Sequence, residues 1–187
     1  MIVQLAGLPG TGKSSLAAAL RAHLGRSCLV LDKDRVRAAL YATDGHVAYT
    51  RDQDDFVVSL LHQATREHLT RQPNATVILE RTCTRRYQID DVVCLAKGLR
   101  QPVAIIRCWC PTSVARARLD ADQQHGGHPA ANRSFDLYQR LQASAEPVTV
   151  PTLHLRTDTP MTRISAAAVA YLHDIATVPA HMEGAVR

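Results

Sequence analysis

The sequence predicts an α/β domain of three layers, with a mostly parallel, five-stranded sheet between helices. Short apolar runs of strand length alternate with helical patterns along the chain, as in proteins built from βαβ units. Aromatic residues make up only 4% of the 187 residues, so the core is expected to consist of Val, Leu, Ile and Ala, which suits helices packed on a parallel sheet. No run of about twenty apolar residues occurs, which predicts that no segment spans a membrane.

The predicted strands are short runs rich in branched apolar residues. In chain order they cover residues 2–6, 27–31, 75–80, 103–110 and 152–155. Polar, glycine or proline residues bound these runs, and Pro102 opens the fourth.

The predicted helices lie between the strands and have helical apolar spacing. In chain order they cover residues 15–24, 35–41, 52–70, 87–99, 112–122, 134–146 and 165–175. Gly25 and Gly98 are C-terminal signals for the first and fourth helices, and Pro111 opens the fifth. The polar stretches 42–50 and 123–133 are predicted loops, and residues 176–187 a tail that follows a domain of residues 1–175.

Residues 7–14 read GLPGTGKS and match the phosphate-loop pattern G-x-x-x-x-G-K-[ST]. A strand precedes the match and a helix follows it, which is the context that the motif requires. Glycines let successive backbone N–H groups face a polyphosphate, the lysine reaches the β- and γ-phosphates, and the serine hydroxyl ligates Mg²⁺. The sequence therefore predicts a P-loop NTPase fold in which ATP and Mg²⁺ are bound by Gly7, Leu8, Pro9, Gly10, Thr11, Gly12, Lys13, Ser14 and Ser15.

Polar segments follow the first three strands and are expected to meet at one edge of the sheet, since ligands bind at the carboxyl ends of parallel strands. One of these segments, LDKDRVR, places Asp34 and Arg37 on one helix face. Asp34 can be read as a helix cap or as a catalytic base, and Asp32 competes for either role. Lys33 and Arg35 are expected to be surface charges. The acidic residues within 51–55 are favoured at a helix start by the helix dipole alone. Binding of the acceptor is the alternative role for them.

Several nucleotide-binding classes fit the chain poorly. The NKxD pattern of guanine-specific GTPases is absent, and an AAA+ machine needs a longer chain with an additional helical domain. What remains favours a kinase that acts on a small molecule or a polynucleotide. The alternative from another class is a nucleotide-dependent ATPase or regulatory module without a phosphorylated acceptor.

Four segments, GLPGTGKSSLA, LDKDRVR, VILERTCTRR and CPTSVARARLDAD, occur in the order typical of the polynucleotide-kinase-like P-loop kinases. Over residues 1–175 the chain resembles this group, which includes polynucleotide 5′-kinases, chloramphenicol phosphotransferase, zeta-toxin kinases and, more distantly, adenylylsulfate kinase. The resemblance implies that Asp34 is the general base and that Arg37 binds the acceptor. Asp32, Tyr49 and Arg81 are expected to line the acceptor site.

Two positions depart from the pattern of these kinases. Glu80 ends the third strand where an Asp is common, and it is expected to hold Mg²⁺ through water. The segment of about residues 120–134 resembles a lid whose arginines neutralise the transferred phosphoryl group. Arg118 matches one lid arginine, with Arg116 close by. A second lid arginine is replaced by Asp122, and Arg133 is expected to substitute for it.

The net charge of +5 is spread along the chain rather than clustered. This favours a small-molecule hydroxyl acceptor, with a polynucleotide acceptor as the alternative. The five cysteines form no CxxC pair, and no leader precedes the first strand, which predicts a reduced, cytoplasmic protein.

Overall fold

The computed structural model describes residues 1–43, 45–125, 130 and 132–177, and its centre is a five-stranded sheet. The strands are β1 (Ile2–Ala6), β2 (Cys28–Asp32), β3 (Thr76–Glu80), β4 (Val103–Trp109) and β5 (Leu153–Arg156). Their order in the sheet is β2-β3-β1-β4-β5. All four strand pairings are parallel, so the predicted α/β class is confirmed.

Seven α-helices accompany the sheet in the described ranges. They are α1 (Lys13–Leu24), α2 (Lys33–Tyr41), α3 (Arg51–Arg71), α4 (Arg86–Gly98), α5 (Thr112–His125), α6 (Phe135–Ala143) and α7 (Met161–Thr177). A short 3₁₀ turn at Gly25–Ser27 leads from α1 into β2. None of the helices within these ranges is long and apolar enough to cross a membrane.

The two faces of the sheet carry separate layers of helices. Helices α1 and α7 pack on one face, where Leu16, Leu20 and Ala168 meet side chains of β1 and β4. Helices α3 and α4 pack on the other face, where Leu61 and Val92 belong to one apolar cluster with β1 and β3. Burial of apolar side chains on both faces drives the association of these layers. The three-layer prediction is therefore correct.

Helix α2 begins earlier than the sequence suggests, at Lys33 rather than at residue 35. The cause is a cap: the Asp32 carboxylate accepts hydrogen bonds from the backbone N–H of Asp34, at 2.8 Å, and of Arg35, at 3.4 Å. Asp32 and not Asp34 is thus the N-cap residue, and Asp34 lies within the first turn. This leaves the Asp34 carboxylate available for another role.

The other boundaries differ from the predicted ones at helix ends. Helix α7 covers Met161–Thr177 rather than 165–175, so it enters the predicted tail, and α5 continues to His125. Residues 178–187 of the tail lie outside the described residues, as do 126–129 and 131 of the predicted lid. The domain and lid boundaries therefore stay predictions.

Candidate active site

The phosphate loop leaves β1 at the centre of the sheet and enters α1 at Lys13. Gly7, Gly10 and Gly12 have φ angles of 147°, 77° and 78°, which are costly for residues with a side chain. The Thr11 hydroxyl donates a hydrogen bond to the Leu8 carbonyl at 2.7 Å and thereby closes the turn. The loop leads directly into the N-terminus of α1, whose first-turn N–H groups are suited to bind an anion.

Lys13 reaches back across the loop. Its ammonium donates to the carbonyls of Gly7, at 2.8 Å, and Leu8, at 3.1 Å. Burial lowers the pKa of Lys13, and the positive charge of Arg133 acts in the same direction, whereas the Glu80 and Asp34 carboxylates oppose the shift. A bound anion such as a polyphosphate would stabilise the charged form of this buried lysine.

Gly7 provides a test of the loop geometry. A Cβ atom at Gly7 would lie 2.4 Å from the carbonyl oxygen of Cys108 in β4, a backbone atom that cannot move away. We expect Gly7→Ala to lower the free energy of unfolding by about 3 kcal/mol and to weaken nucleotide binding. Denaturant unfolding and nucleotide titration measure both effects. The matched control is Gly98→Ala, since a Cβ at Gly98 meets open space; equal stability of the two variants would contradict this account.

Ser14 and Glu80 form the predicted metal side of the site, and the structure adds Asp32 beside them. The Ser14 hydroxyl donates to Glu80 Oε2 at 2.9 Å, and Asp32 lies opposite Glu80 in the β2–β3 register. Burial raises the pKa of Glu80, and the neighbouring Asp32 charge raises it further. A hydroxyl beside two closely spaced carboxylates suits a hard divalent cation such as Mg²⁺. No cluster of three or more acidic, His or Cys ligands occurs in the part of the chain that the structure describes. The site thus fits a Mg²⁺ that also takes ligands from phosphate.

Asp34 lies on the opposite side of the phosphate loop from α5, at the start of α2. Its side chain is 29% exposed, and its Oδ1 accepts a hydrogen bond of 3.0 Å from Nη1 of Arg37, one helical turn away. The predicted pair is therefore formed. Arg37 itself is buried, and its guanidinium lies 5.4 Å from the centre of the Tyr49 ring.

Asp54, in the first turn of α3, is the centre of a largely buried charge cluster. Its Oδ1 accepts hydrogen bonds from the Lys33 ammonium and from Nη2 of Arg37. Its Oδ2 accepts a hydrogen bond of 2.8 Å from Nη2 of Arg81. Arg81 also lies 3.2 Å from Asp55. Burial alone would raise the pKa of Asp54, but the three cations outweigh it and hold the pKa below the ordinary value. We call Lys33, Asp34, Arg37, Asp54 and Arg81 the acceptor-side cluster.

The sequence interpretation of Lys33 was wrong, and that of Asp54 was incomplete. Lys33 is not a surface charge: its side chain is only 12% exposed, because α2 starts at this residue and turns it toward α3. Arg35, by contrast, is 78% exposed as expected. Asp54 could not be distinguished from Asp52 or Asp55 by sequence, since all three suit a helix start. Only the packing of α3 beside α2 selects it.

Arg118 contacts the phosphate loop from α5. Its Nη1 donates to the Gly10 carbonyl at 3.2 Å, and its Nη2 donates to the Thr157 carbonyl at 2.7 Å. Thr157, after β5, also donates its hydroxyl to the Thr11 carbonyl at 2.8 Å. In this arrangement Arg118 links the loop to the end of β5. Arg116 is directed elsewhere, with its guanidinium 4.0 Å from the centre of the Phe135 ring.

A cavity of about 660 Å³ connects these groups. The phosphate loop and the metal-side residues border it together with the acceptor-side cluster, and Arg118, Asp122 and Arg133 border it as well. It opens at the carboxyl ends of the strands, as the parallel topology requires. Every residue predicted to be catalytic lines it, namely Lys13, Asp34, Arg37, Arg118 and Arg133. The predicted acceptor contacts Asp32, Tyr49 and Arg81 line it too.

A phosphate loop at the centre of a five-stranded parallel sheet, with acidic and basic side chains around the adjoining cavity, defines a P-loop nucleotide-binding protein with a kinase-like fold. More narrowly, the chain belongs to the AAA_33 family, whose model, described as an AAA domain, matches residues 2–147. The predicted membership of this group of P-loop proteins is thus confirmed. A search of curated proteins found no match.

Solved structures with the same fold include several kinases. A gluconokinase from Sinorhizobium meliloti is 18% identical with a TM-score of 0.67, and the match covers 93% of this chain and 92% of that one. The APS kinase CysC of Mycobacterium tuberculosis, in complex with AMPPNP and APS, is 18% identical with a TM-score of 0.68, over 92% and 96%. Kti12 of Chaetomium thermophilum, in complex with ADP-AlF3, is 16% identical with a TM-score of 0.66, over 91% and 98%. At these identities the likeness establishes the fold.

Proposed function

We propose that this protein transfers the γ-phosphoryl group of ATP to a hydroxyl group of a small-molecule acceptor, with Mg²⁺. One observation carries the proposal: the half-buried carboxylate of Asp34 and the phosphate loop line the same cavity. The acceptor-side cluster has the composition expected of a site for a polar second substrate.

The nucleotide is held by the loop. Lys13 and the N–H groups of residues 10–14 bind the β- and γ-phosphates, with the positive end of α1 behind them. Ser14 would ligate Mg²⁺ directly, and Glu80 and Asp32 would do so through water. The metal ion would neutralise charge on the phosphates.

Asp34 is assigned as the general base. It accepts the proton of the acceptor hydroxyl while that oxygen forms a bond to Pγ and the bond from Pγ to the leaving oxygen of ADP breaks. Asp32 is less suited to this task, because one of its oxygens caps α2. Arg37 fixes the Asp34 carboxylate by a 3.0 Å hydrogen bond and takes part in the acceptor site with Tyr49 and Arg81.

A small acceptor is supported by the distribution of charge and by the neighbours. The positive charges within the cavity are matched by nearby carboxylates rather than arranged in a stripe that follows a polynucleotide. Gluconokinase and APS kinase, two proteins of this fold, are named for small acceptors. A polynucleotide 5′-hydroxyl acceptor is the second candidate within the kinase class. We also propose a cytoplasmic location, which free cysteines suit.

The experiment is an acceptor screen. Labelled ATP and Mg²⁺ are incubated with panels of sugars and sugar acids, antibiotics and 5′-hydroxyl oligonucleotides, with the Asp34→Asn variant as the blank. We expect one small hydroxyl compound to gain label only with the unchanged protein, and transfer to vary little between low and high salt. Preferred labelling of oligonucleotides with a steep loss in salt would support the second candidate. ATP hydrolysis that no acceptor stimulates would favour an ATPase or regulatory module.

A further inference from the structure

Asp122 and Arg133 form an ion pair at the cavity beside the phosphate loop. Nη1 of Arg133 lies 3.2 Å from Oδ2 of Asp122, in the last turn of α5. The next residue of that helix, Gln123, donates its side-chain amide to the Arg133 carbonyl at 3.0 Å. Arg133 is thus held through both its side chain and its backbone to a single helical turn, although it lies ten residues further along the chain.

The position of Arg133 relative to the nucleotide site follows from burial and charge. Its side chain is 18% exposed, whereas that of Asp122 is 42% exposed. Both border the cavity that contains the phosphate loop. Arg133 is close enough to Lys13 for its positive charge to contribute to the lowered pKa of that lysine. A polyanion bound at the loop would be attracted by both cations.

Arg118 and Arg133 differ in how their donors are used. Both Nη atoms of Arg118 donate to backbone carbonyls of the loop and of Thr157. The contact between Arg133 and Asp122 involves one of the five N–H donors of the guanidinium group. Arg118 therefore links the loop to the end of β5, whereas the side chain of Arg133 is tied to Asp122 of α5 and borders the cavity.

We propose that Asp122 and Gln123 are positioning residues: they hold Arg133, the expected substitute for a lid arginine, toward the γ-phosphate of bound ATP and thereby set how strongly the protein prefers ATP over ADP. The inference rests on the proposed function only in requiring a nucleoside triphosphate at the loop, and it can be tested without a known acceptor. A charge-assisted hydrogen bond to the γ-phosphate has no counterpart in ADP. The carboxylate of Asp122 restricts the rotamers of the arginine before the nucleotide arrives, which lowers the entropic cost of binding.

The test compares the affinities of Mg·AMPPNP and Mg·ADP by competition against a fluorescent nucleotide. We expect Arg133→Gln to lower the preference for AMPPNP over ADP about tenfold or more, with ADP affinity retained. Asp122→Asn should lower the preference about threefold to tenfold, and the conservative variant Asp122→Glu should retain most of it. The matched controls, Asp120→Asn on α5 and Arg140→Gln on α6, change exposed residues and should bind both nucleotides like the unchanged protein.

A double variant separates positioning from a general charge effect. If Asp122 acts only through Arg133, Asp122→Asn combined with Arg133→Gln should be no worse than Arg133→Gln alone. Additive losses would overturn the positioning role, and an increase in AMPPNP affinity in Asp122→Asn would mean that Asp122 competes with the phosphate for Arg133. An unchanged preference in Arg133→Gln, in a variant that unfolds at the same temperature as the unchanged protein, would overturn the inference itself. If the variants behave as expected but no acceptor is ever labelled, the inference stands and the proposed kinase activity fails.

Discussion

Asp34→Asn is expected to lower phosphoryl transfer by about 10²–10⁴-fold while ATP affinity changes by less than about twofold. The substitution keeps the shape of the side chain and removes its ability to take a proton. Nucleotide binding should persist because Asp34 lies on the acceptor side of the cavity, whereas the phosphates are bound by the loop. Initial rates with the acceptor found by the screen, together with nucleotide titration, measure the two effects.

Asp32→Asn is the informative companion of that variant. Asparagine caps a helix about as well as aspartate does, so α2 should remain intact. If Asp34 is the base, Asp32→Asn should lose far less transfer than Asp34→Asn at saturating Mg²⁺. The reverse ranking would transfer the role of base to Asp32 and leave Asp34 as a partner of Arg37.

Asp54→Asn is expected to cause the largest loss of stability among the charge variants, about 3 kcal/mol in the free energy of unfolding at neutral pH. The reason is that Lys33, Arg37 and Arg81 would remain largely buried after their common carboxylate is neutralised. Asp52→Asn, in the same first turn of α3 but exposed, is the control and should change stability by less than about 0.5 kcal/mol. Denaturant unfolding of the two variants measures the difference.

The pH dependence of this effect has a defined sign. Because the pKa of Asp54 is held below its ordinary value of 3.8 in the folded chain, its ionised carboxylate contributes stability above that value. The contribution is lost as pH falls through the folded-state pKa. The stability difference between the unchanged protein and Asp54→Asn should therefore be constant from about pH 5 to 7 and shrink below about pH 4. A difference that grows on acidification would contradict the assignment of Asp54 as the centre of the cluster.

The fold could be predicted largely from local sequence features. The glycine-rich loop has a short apolar strand before it and a helix after it, and this order alone implies a parallel sheet with its ligand edge at the loop. The order of the segments also predicted that Asp34, Glu80 and Arg81 lie at that edge, and all three line the cavity there. Helix ends were less predictable, as at Lys33, because the Asp32 cap depends on which of two nearby aspartates adopts extended backbone geometry.

The acceptor-side cluster could be predicted only in part. Arg37 and Arg81 were expected in the site because they follow strands at the ligand edge. Asp54 belongs to a helix that begins after a polar loop, and no local pattern specifies which face of that helix turns inward. The same limit applies to the ion pair of Asp122 and Arg133, since the two residues lie far apart in sequence and no local pattern pairs them.

The position of Asp54 has a consequence for how acceptor choice can change. One carboxylate joins α2, α3 and the segment after β3 through its contacts with three cations. Substitutions within this cluster are therefore expected to lower the stability of the fold. Tyr49 and Arg51 line the same cavity and are more exposed. Substitutions at these two exposed positions are therefore expected to alter acceptor choice at a smaller cost in stability than substitutions within the acceptor-side cluster. Efforts to redirect the specificity of this chain should begin there.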